Sequence, residues 1–216
     1  MRRRKAFSAA ATLAVALCIV PAAAQAGTLM SEGEAYPVAL EGFRIEKAST
    51  RVTQGASTLT AECKKATFTG TLSAASSEVR LHPVYSECTA FGFIEATVKT
   101  EGCDYIGHIG EKVGEAWTTT ADVACEAGKA IEITAGTCQM KIGSQKGLKS
   151  IELTNMAGTP QDVTGNFALR NVRQATTKDG FACPLQGVGE FENFDVDGLA
   201  TLTGKLNGEP IGLTVE

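Results

Sequence analysis

Residues 103–142 read CDYIGHIGEKVGEAWTTTADVACEAGKAIEITAGTCQMKI, and the fold class can be predicted from this stretch. Gly114, Gly128 and Gly136 divide it into segments in which apolar and polar residues alternate. Alternation interrupted by glycine is typical of consecutive antiparallel strands that each have one buried face. The cysteines of the stretch fall on the apolar positions, so their sulfur atoms belong to the core. The stretch therefore predicts a disulfide-bonded β protein, and it predicts no activity.

Alternating segments of the same kind occur along most of the chain, and no segment has the apolar period of a helix. We therefore predict an all-β fold, an antiparallel β-sandwich stapled by disulfides. Residues 27–216 can form one β domain, because single β domains of this length are common. Two lobes that meet near Val113 are the alternative.

Two local signals refine the strand boundaries. Pro83 is predicted to end the strand around Val79, because proline removes a hydrogen-bond donor from the ladder. Asn207 and Gly208 lie between two alternating runs, and this dipeptide predicts a tight hairpin turn.

The first 26 residues have the three parts of a secretory signal. Residues 2–5 are basic, residues 6–20 are apolar, and Ala24 and Ala26 are the small residues that precede a cleavage site. The apolar run is too short for a membrane span, so we expect none in the mature chain. We predict cleavage after Ala26 and a secreted, extracellular protein that begins at Gly27.

The charge of the mature chain argues against polyanionic partners. The full sequence has 20 basic and 24 acidic residues, and the signal removes four basic ones, which leaves 16 − 24 = −8. Binding of nucleic acid requires clustered Lys and Arg, and the mature chain has no such cluster. We therefore predict no nucleic-acid partner, and the sequence identifies no other partner.

The cysteine count indicates a disulfide framework. Of seven cysteines, Cys18 leaves with the signal, and an even number remains. Six cysteines in an exported chain imply three disulfides, with fifteen connectivities open. They are Cys63, Cys88, Cys103, Cys125, Cys138 and Cys183.

One pairing follows from the hairpin expected in the opening stretch. A turn near Gly114 places Cys103 directly opposite Cys125, because the two are equally distant from that glycine. Pairing the remaining cysteines in sequence order, Cys63–Cys88 and Cys138–Cys183, closes short loops and therefore costs the least chain entropy.

Residues 190–198 (EFENFDVDG) contain the densest group of oxygen ligands in the sequence. Glu190, Glu192, Asp195 and Asp197 form a candidate calcium site, although the segment lacks the full pattern of an EF-hand loop. Alternation also explains the segment as a strand with its acids on a solvated face. No other cofactor is predicted.

The sequence contains no catalytic motif. There is no G-x-S-x-G elbow, no H-E-x-x-H pair and no glycine-rich phosphate loop. The chain has two histidines, His82 and His108, and neither lies in a pattern that indicates catalysis. We therefore predict no catalytic residue.

Two functional classes remain open. The first is a secreted non-enzymatic binding or structural module of the cell surface or extracellular space. The alternative is a secreted hydrolase or lyase that acts on polysaccharide through carboxylates such as Glu190, Glu192 and Asp195. A convergent carboxylate pair in a groove would favour the enzyme. Two narrower hypotheses are an inhibitory loop at residues 86–93 and an aromatic sugar-binding surface, with Trp117 expected in the core.

Several segments carry a resemblance to a known group of proteins. They are LTAEC at 59–63, PVYSEC at 83–88, EGCDY at 101–105, VACEAGKAIEIT at 123–134, and Thr137-Cys138. Together they resemble an uncharacterised family of secreted, disulfide-bonded all-β proteins of high-GC Gram-positive bacteria. The resemblance covers most of the mature chain and implies export and a cysteine-stabilised β fold. It implies no activity.

Overall fold

A computed structural model describes residues 26–44, 48–54, 57–179, 183 and 187–216. Within these ranges the chain is nearly all strand, with one short 3-10 turn at Glu32–Glu34 and no α-helix. The strands are β1 Leu29–Ser31, β2 Val38–Arg44, β3 Ala48–Gln54, β4 Ser57–Leu72, β5 Glu78–Ala90, β6 Ile94–Lys99, β7 Cys103–Val113, β8 Ala116–Cys125, β9 Ile131–Ala135, β10 Cys138–Ile142, β11 Gln145–Asn155, β12 Val163–Asp179, β13 Gly189–Leu206, β14 Glu209–Ile211 and β15 Leu213–Val215.

Hydrogen bonds join eight strands into a closed ring, which we call the first ring. Its order is β5, β7, β8, β11, β12, β13, β2 and β4, and β4 pairs back onto β5. Every pairing is antiparallel. The predicted all-β, antiparallel, sandwich-like fold is confirmed, and its layers are hydrogen-bonded to each other as well as packed together.

A second ring shares four strands with the first. Its order is β5, β6, β9, β10, β12, β13, β3 and β4. The shared strands β4, β5, β12 and β13 have 16, 13, 17 and 18 residues, which is long enough for their two halves to pair with different neighbours. The two rings are therefore stacked end to end along these four shared strands.

Each ring has its own group of buried apolar side chains. Around the second ring these are mainly alanine, isoleucine, cysteine and methionine, with Val172 and Phe194 from the shared strands. Around the first ring they include Val38, Leu40 and Trp117. Burial of these side chains is the main favourable term in folding.

The two terminal strands cover one end of the first ring. β1 pairs with β15, with Leu29 opposite Val215, and both side chains are buried. Just before β1, the N–H of Gly27 donates a hydrogen bond to the carbonyl oxygen of Gly110 at 2.7 Å. The segment that directly follows the predicted cleavage site is therefore part of the folded structure.

The three disulfides join the predicted partners. Two of them connect residues that lie directly opposite each other in paired strands, in β4 with β5 and in β7 with β8. The third connects β10 to a residue that follows β12 in the chain. The pairs are Cys63–Cys88, Cys103–Cys125 and Cys138–Cys183.

The hairpin around Gly114 forms as predicted, with one additional feature. Gly114 has φ +65° in a two-residue turn between β7 and β8. Such a turn alone would place Glu126 opposite Cys103. A β-bulge after Ile109 shifts the register by one residue and brings Cys125 opposite Cys103 instead.

The prediction that Pro83 ends a strand was wrong. β5 continues through Pro83 to Ala90. Its pairing with β7 stops at Leu81 and its pairing with β6 begins at Cys88, so here β5 has a partner only on the β4 side. A proline is tolerated where one side of a strand is unpaired, because no ladder bond is lost there.

The C-terminal hairpin prediction is confirmed. Asn207 and Gly208 have φ +53° and +91°, and they connect β13 to β14. Positive φ at both central residues is the geometry of the turn that suits a two-residue hairpin.

Residues 1–25 of the predicted signal peptide (residues 1–26) lie outside the described residues, which begin at Ala26, and the signal stays a prediction. Across the described ranges, the structure has no helix of the length and apolar character that a membrane crossing requires.

Candidate functional site: an apolar cavity inside the closed sheet

The first ring encloses a cavity of about 200 Å³. Residues of all eight strands of that ring line it, so it lies inside the closed sheet. It extends toward the second ring, where Val98, Ile131 and Ile142 contribute to its wall. A single water molecule needs only about 10–15 Å³ on this measure, so the cavity has room for a ligand.

The cavity exists because several inward positions carry small residues. A closed sheet of eight strands is just wide enough to be filled by side chains or to hold one small ligand. Small residues at the wall shift the balance toward a cavity. They include Ala66, Gly107, Ala121 and Ala200. At Gly107 a Cβ atom would meet its nearest neighbours at 3.7 and 3.8 Å, which is ordinary contact, so this position has space for a side chain.

The wall of the cavity is almost entirely apolar. Within the described residues, Asp197 is the one carboxylate that contributes to it, and no Lys, Arg or His does. The Asp197 carboxylate is paired with the Arg170 guanidinium at 2.5 Å. The cavity therefore offers no unpaired cation to a negatively charged ligand.

Four aromatic side chains lie in the interior, where the first and second rings of strands meet. The ring centroid of Phe68 lies 6.2 Å from that of Tyr85, 6.4 Å from that of Tyr105 and 6.4 Å from that of Phe167. These four aromatic side chains come from four different strands, and all four line the cavity. They form an aromatic layer beside which the cavity passes.

The polar part of this layer is a pair of tyrosine hydroxyls. The Oη atoms of Tyr85 and Tyr105 are hydrogen-bonded at 3.0 Å. Both tyrosines line the cavity, and their side chains are half-buried. Burial raises the pKa of both hydroxyls, and the neighbouring Tyr105 raises the pKa of Tyr85 further, well above its usual value. Both groups are neutral at physiological pH.

A second polar atom lines the cavity at a distance from this pair. The Oγ1 atom of Thr119 is buried and has no hydrogen-bond partner within the described residues. Thr119 lies opposite Ile109 in the β7–β8 pair, whereas Tyr105 lies opposite Val123. The four residue steps from Tyr105 to Ile109 separate the two polar sites by about 13 Å along the strand.

The acidic segment predicted as a calcium site lies on β13. Phe194 and Val196 face the interior, and the register with β12 shifts at Asn193. Glu190 and Glu192, which precede that shift, and Asp195 and Asp197, which follow it, are exposed or half-buried.

Groups on β12 already contact three of these four carboxylates. Arg170 pairs with Asp197, and a nitrogen of Arg173 lies 3.9 Å from Glu192. The backbone N–H of Asn171 donates to Asp195 at 3.0 Å. In the part of the chain that the structure describes, no group of three or more His, Cys, Asp or Glu side chains is arranged to hold a metal ion. Calcium binding by the four acids stays a prediction, and it would compete with Arg170.

Both histidines contact carboxylates, which the sequence did not indicate. The His82 Nδ1 atom lies 3.1 Å from Asp104, and the His108 Nε2 atom lies 3.1 Å from Asp122. Asp122 also accepts the backbone N–H of Gly147 at 2.8 Å. Burial would raise the pKa of Asp122, but the Gly147 N–H and His108 lower it overall.

The aromatic residues do not form one sugar-binding surface. Tyr85 lines the cavity and Trp117 is 6% exposed, in the core as the alternation predicted. Phe93 is 81% exposed in the turn between β5 and β6. Residues 86–90 belong to β5, so the segment considered as an inhibitory loop is mostly strand.

The cavity and the tyrosine pair were not predicted from the sequence. Glycine and alanine at inward positions, such as Gly107 opposite Ala121, were a usable signal, because two small residues facing each other leave the interior unfilled. The pairing of Tyr85 with Tyr105 had no local signal, since it depends on β5 lying next to β7.

Comparison with protein-family models, with curated proteins and with solved structures yields no match.

Proposed function

We propose that this chain is a secreted, non-enzymatic binding protein that holds an apolar ligand inside the closed sheet. The observation that carries this proposal is the apolar cavity of about 200 Å³, lined by all eight strands of the first ring. A largely apolar cavity with a few polar groups is the usual form of a small-molecule site.

The energetics favour an apolar occupant. Transfer of apolar surface from water into such a cavity contributes about 25 cal/mol for each Å² buried. An empty cavity, in contrast, costs stability because its wall atoms lose their packing partners. A ligand that fills this space therefore stabilises the folded protein while it binds.

An extracellular location is part of the proposal. Three disulfides form and persist in an oxidising environment, and the predicted signal peptide would deliver the chain there. In addition to these disulfides, the pair of strands β1 and β15 covers one end of the first ring and shields its core from water. Both features stabilise a protein that carries its ligand outside the cell.

The geometry gives less support to the polysaccharide-acting alternative. Asp197 and Glu192 are paired with arginines, and Asp195 accepts a backbone N–H. A second recess, beside His108, is lined by a single carboxylate within the described residues, Glu152. A glycosidase requires two carboxyl groups that face each other across the scissile bond.

Titration with the uncharged fluorophore N-phenylnaphthylamine tests the proposed function. We expect its emission to rise and to saturate at one molecule per chain, and we expect no rise with reduced, urea-unfolded protein. Failure to saturate would contradict the proposal. Release of reducing ends from a polysaccharide, lost in E190Q/E192Q, would support the enzyme instead.

A further inference from the structure

We propose that the ligand is an uncharged single-chain lipid whose hydroxyl or carbonyl oxygen bonds to the Tyr85–Tyr105 pair. This inference rests on the proposed function, because it requires the cavity to be the binding site. It adds the shape, the charge and the polar group of the ligand. Each of these follows from a separate feature of the cavity wall.

The shape of the cavity fits a chain. Its lining residues on β13 run from Phe194 to Leu202. These eight steps correspond to roughly 26 Å of strand, at a rise of about 3.3 Å per residue. Strands of a closed sheet are tilted by about 40°, so the cavity is on the order of 20 Å long. The volume of about 200 Å³ is therefore spread along the strand direction. Such an elongated space accommodates an extended alkyl chain.

The charge of the wall excludes ionised ligands. A carboxylate moved from water into an apolar space without a cation loses far more solvation than an alkyl chain gains. Within the described residues, no Lys, Arg or His lines the cavity, and Asp197 is already paired with Arg170. A fatty acid in its ionised form is therefore a poor ligand, whereas a fatty alcohol or an ester is a good one.

The tyrosine pair supplies a donor for the ligand's oxygen. Two hydroxyls bonded to each other use only one of their two hydrogen atoms in that bond. Within the described residues, the second hydrogen has no acceptor. A donor in an apolar cavity without an acceptor is costly, and polar groups away from water in native proteins are nearly always paired. A hydroxyl or carbonyl oxygen of the ligand completes the pairing.

Thr119 is the competing polar site on the same wall. Its unpaired Oγ1 atom could receive the ligand's polar group about 13 Å from the tyrosines along the strand. The tyrosine pair is favoured because two hydroxyls converge there within an aromatic layer that can pack along the chain. Replacement of each site separately distinguishes them.

Displacement of N-phenylnaphthylamine by decanol, decane and decanoate at pH 8 tests the inference. With the unmodified protein we expect decanol to bind about fivefold more tightly than decane, from one added hydrogen bond. We expect decanoate to bind at least about tenfold more weakly than decanol. In Y85F/Y105F the preference for decanol over decane should disappear while the affinity for decane is retained. In T119V the preference should remain.

The outcomes separate the inference from the function that it rests on. If the fluorophore binds but decanol and decane displace it equally, the inference is overturned. An ordered water that stays bound to the tyrosine pair would give this result. A preference that survives Y85F/Y105F but disappears in T119V overturns it as well. If the fluorophore itself does not bind, the proposed function fails. Retained near-ultraviolet circular dichroism confirms that each variant is folded.

Discussion

Gly27 lies against the indole of Trp117 so closely that a Cβ atom on Gly27 would overlap the ring. Trp117 is itself buried in the core of the first ring, next to Ile109. The residue that follows the predicted cleavage site is thus fitted into the core, and only glycine leaves the indole in place.

Replacement of Gly27 by alanine should therefore destabilise the protein. We expect a loss of about 1–3 kcal/mol in the free energy of unfolding, because the added methyl group must displace the indole. Gly143 is the matched control, since it is exposed and has nothing within 4 Å of an added Cβ. Urea unfolding of G27A and G143A measures both. Equal stability of the two variants would contradict this packing.

The Cys103–Cys125 disulfide should contribute strongly to stability. It closes a sequence separation of 22 residues, and loss of such a bridge costs about 2–4 kcal/mol. We expect C103A/C125A to fold with a lower urea midpoint. C103A alone should be worse, because its free thiol can exchange with the remaining disulfides. Non-reducing peptide mapping should link Cys103 to Cys125, and any other partner would contradict the β7–β8 register.

The buried tyrosines should make the protein less stable at alkaline pH. The pKa values of Tyr85 and Tyr105 are raised in the folded state, so their stabilising contribution is complete below pH 10 or so and is lost as the pH rises. Above about pH 10, we expect the free energy of unfolding to fall more steeply for the unmodified protein than for Y85F/Y105F. Parallel curves would show that the tyrosines ionise alike in both states.

Calcium binding by Glu190, Glu192, Asp195 and Asp197 predicts a higher melting temperature in millimolar calcium than in chelator, because a ligand of the native state stabilises it. Arg170 competes for Asp197, so R170Q should enlarge the difference. D195N/D197N should abolish it. Identical melting curves in calcium and chelator would contradict calcium binding by these four residues.

The sequence predicted those parts of the fold that depend on local order. Strand class, the Asn207-Gly208 turn and the Cys103–Cys125 pair follow from alternation and spacing within short stretches. The register that pairs Cys103 with Cys125 nevertheless requires a bulge after Ile109, and no residue pattern predicted that bulge.

The parts that the sequence did not predict depend on long-range pairing. Pro83 looked like a strand end, because nothing local shows that β5 lacks a partner on one side there. Closure of the sheet depends on β4 pairing with both β2 and β5, and the cavity exists only once the sheet has closed. The Tyr85–Tyr105 contact likewise joins residues twenty positions apart on neighbouring strands.

If the ligand lies inside the closed sheet, filling the cavity should weaken its binding. Gly107 lines the cavity with space for a side chain, whereas Gly143 is exposed with open space around it. The measurement is the dissociation constant of N-phenylnaphthylamine for G107L and G143L, each checked for cooperative unfolding. We expect G107L to weaken binding about tenfold or more, ~1.4 kcal/mol, and G143L to leave it unchanged. Unmodified affinity in a folded G107L would contradict a ligand site inside the closed sheet.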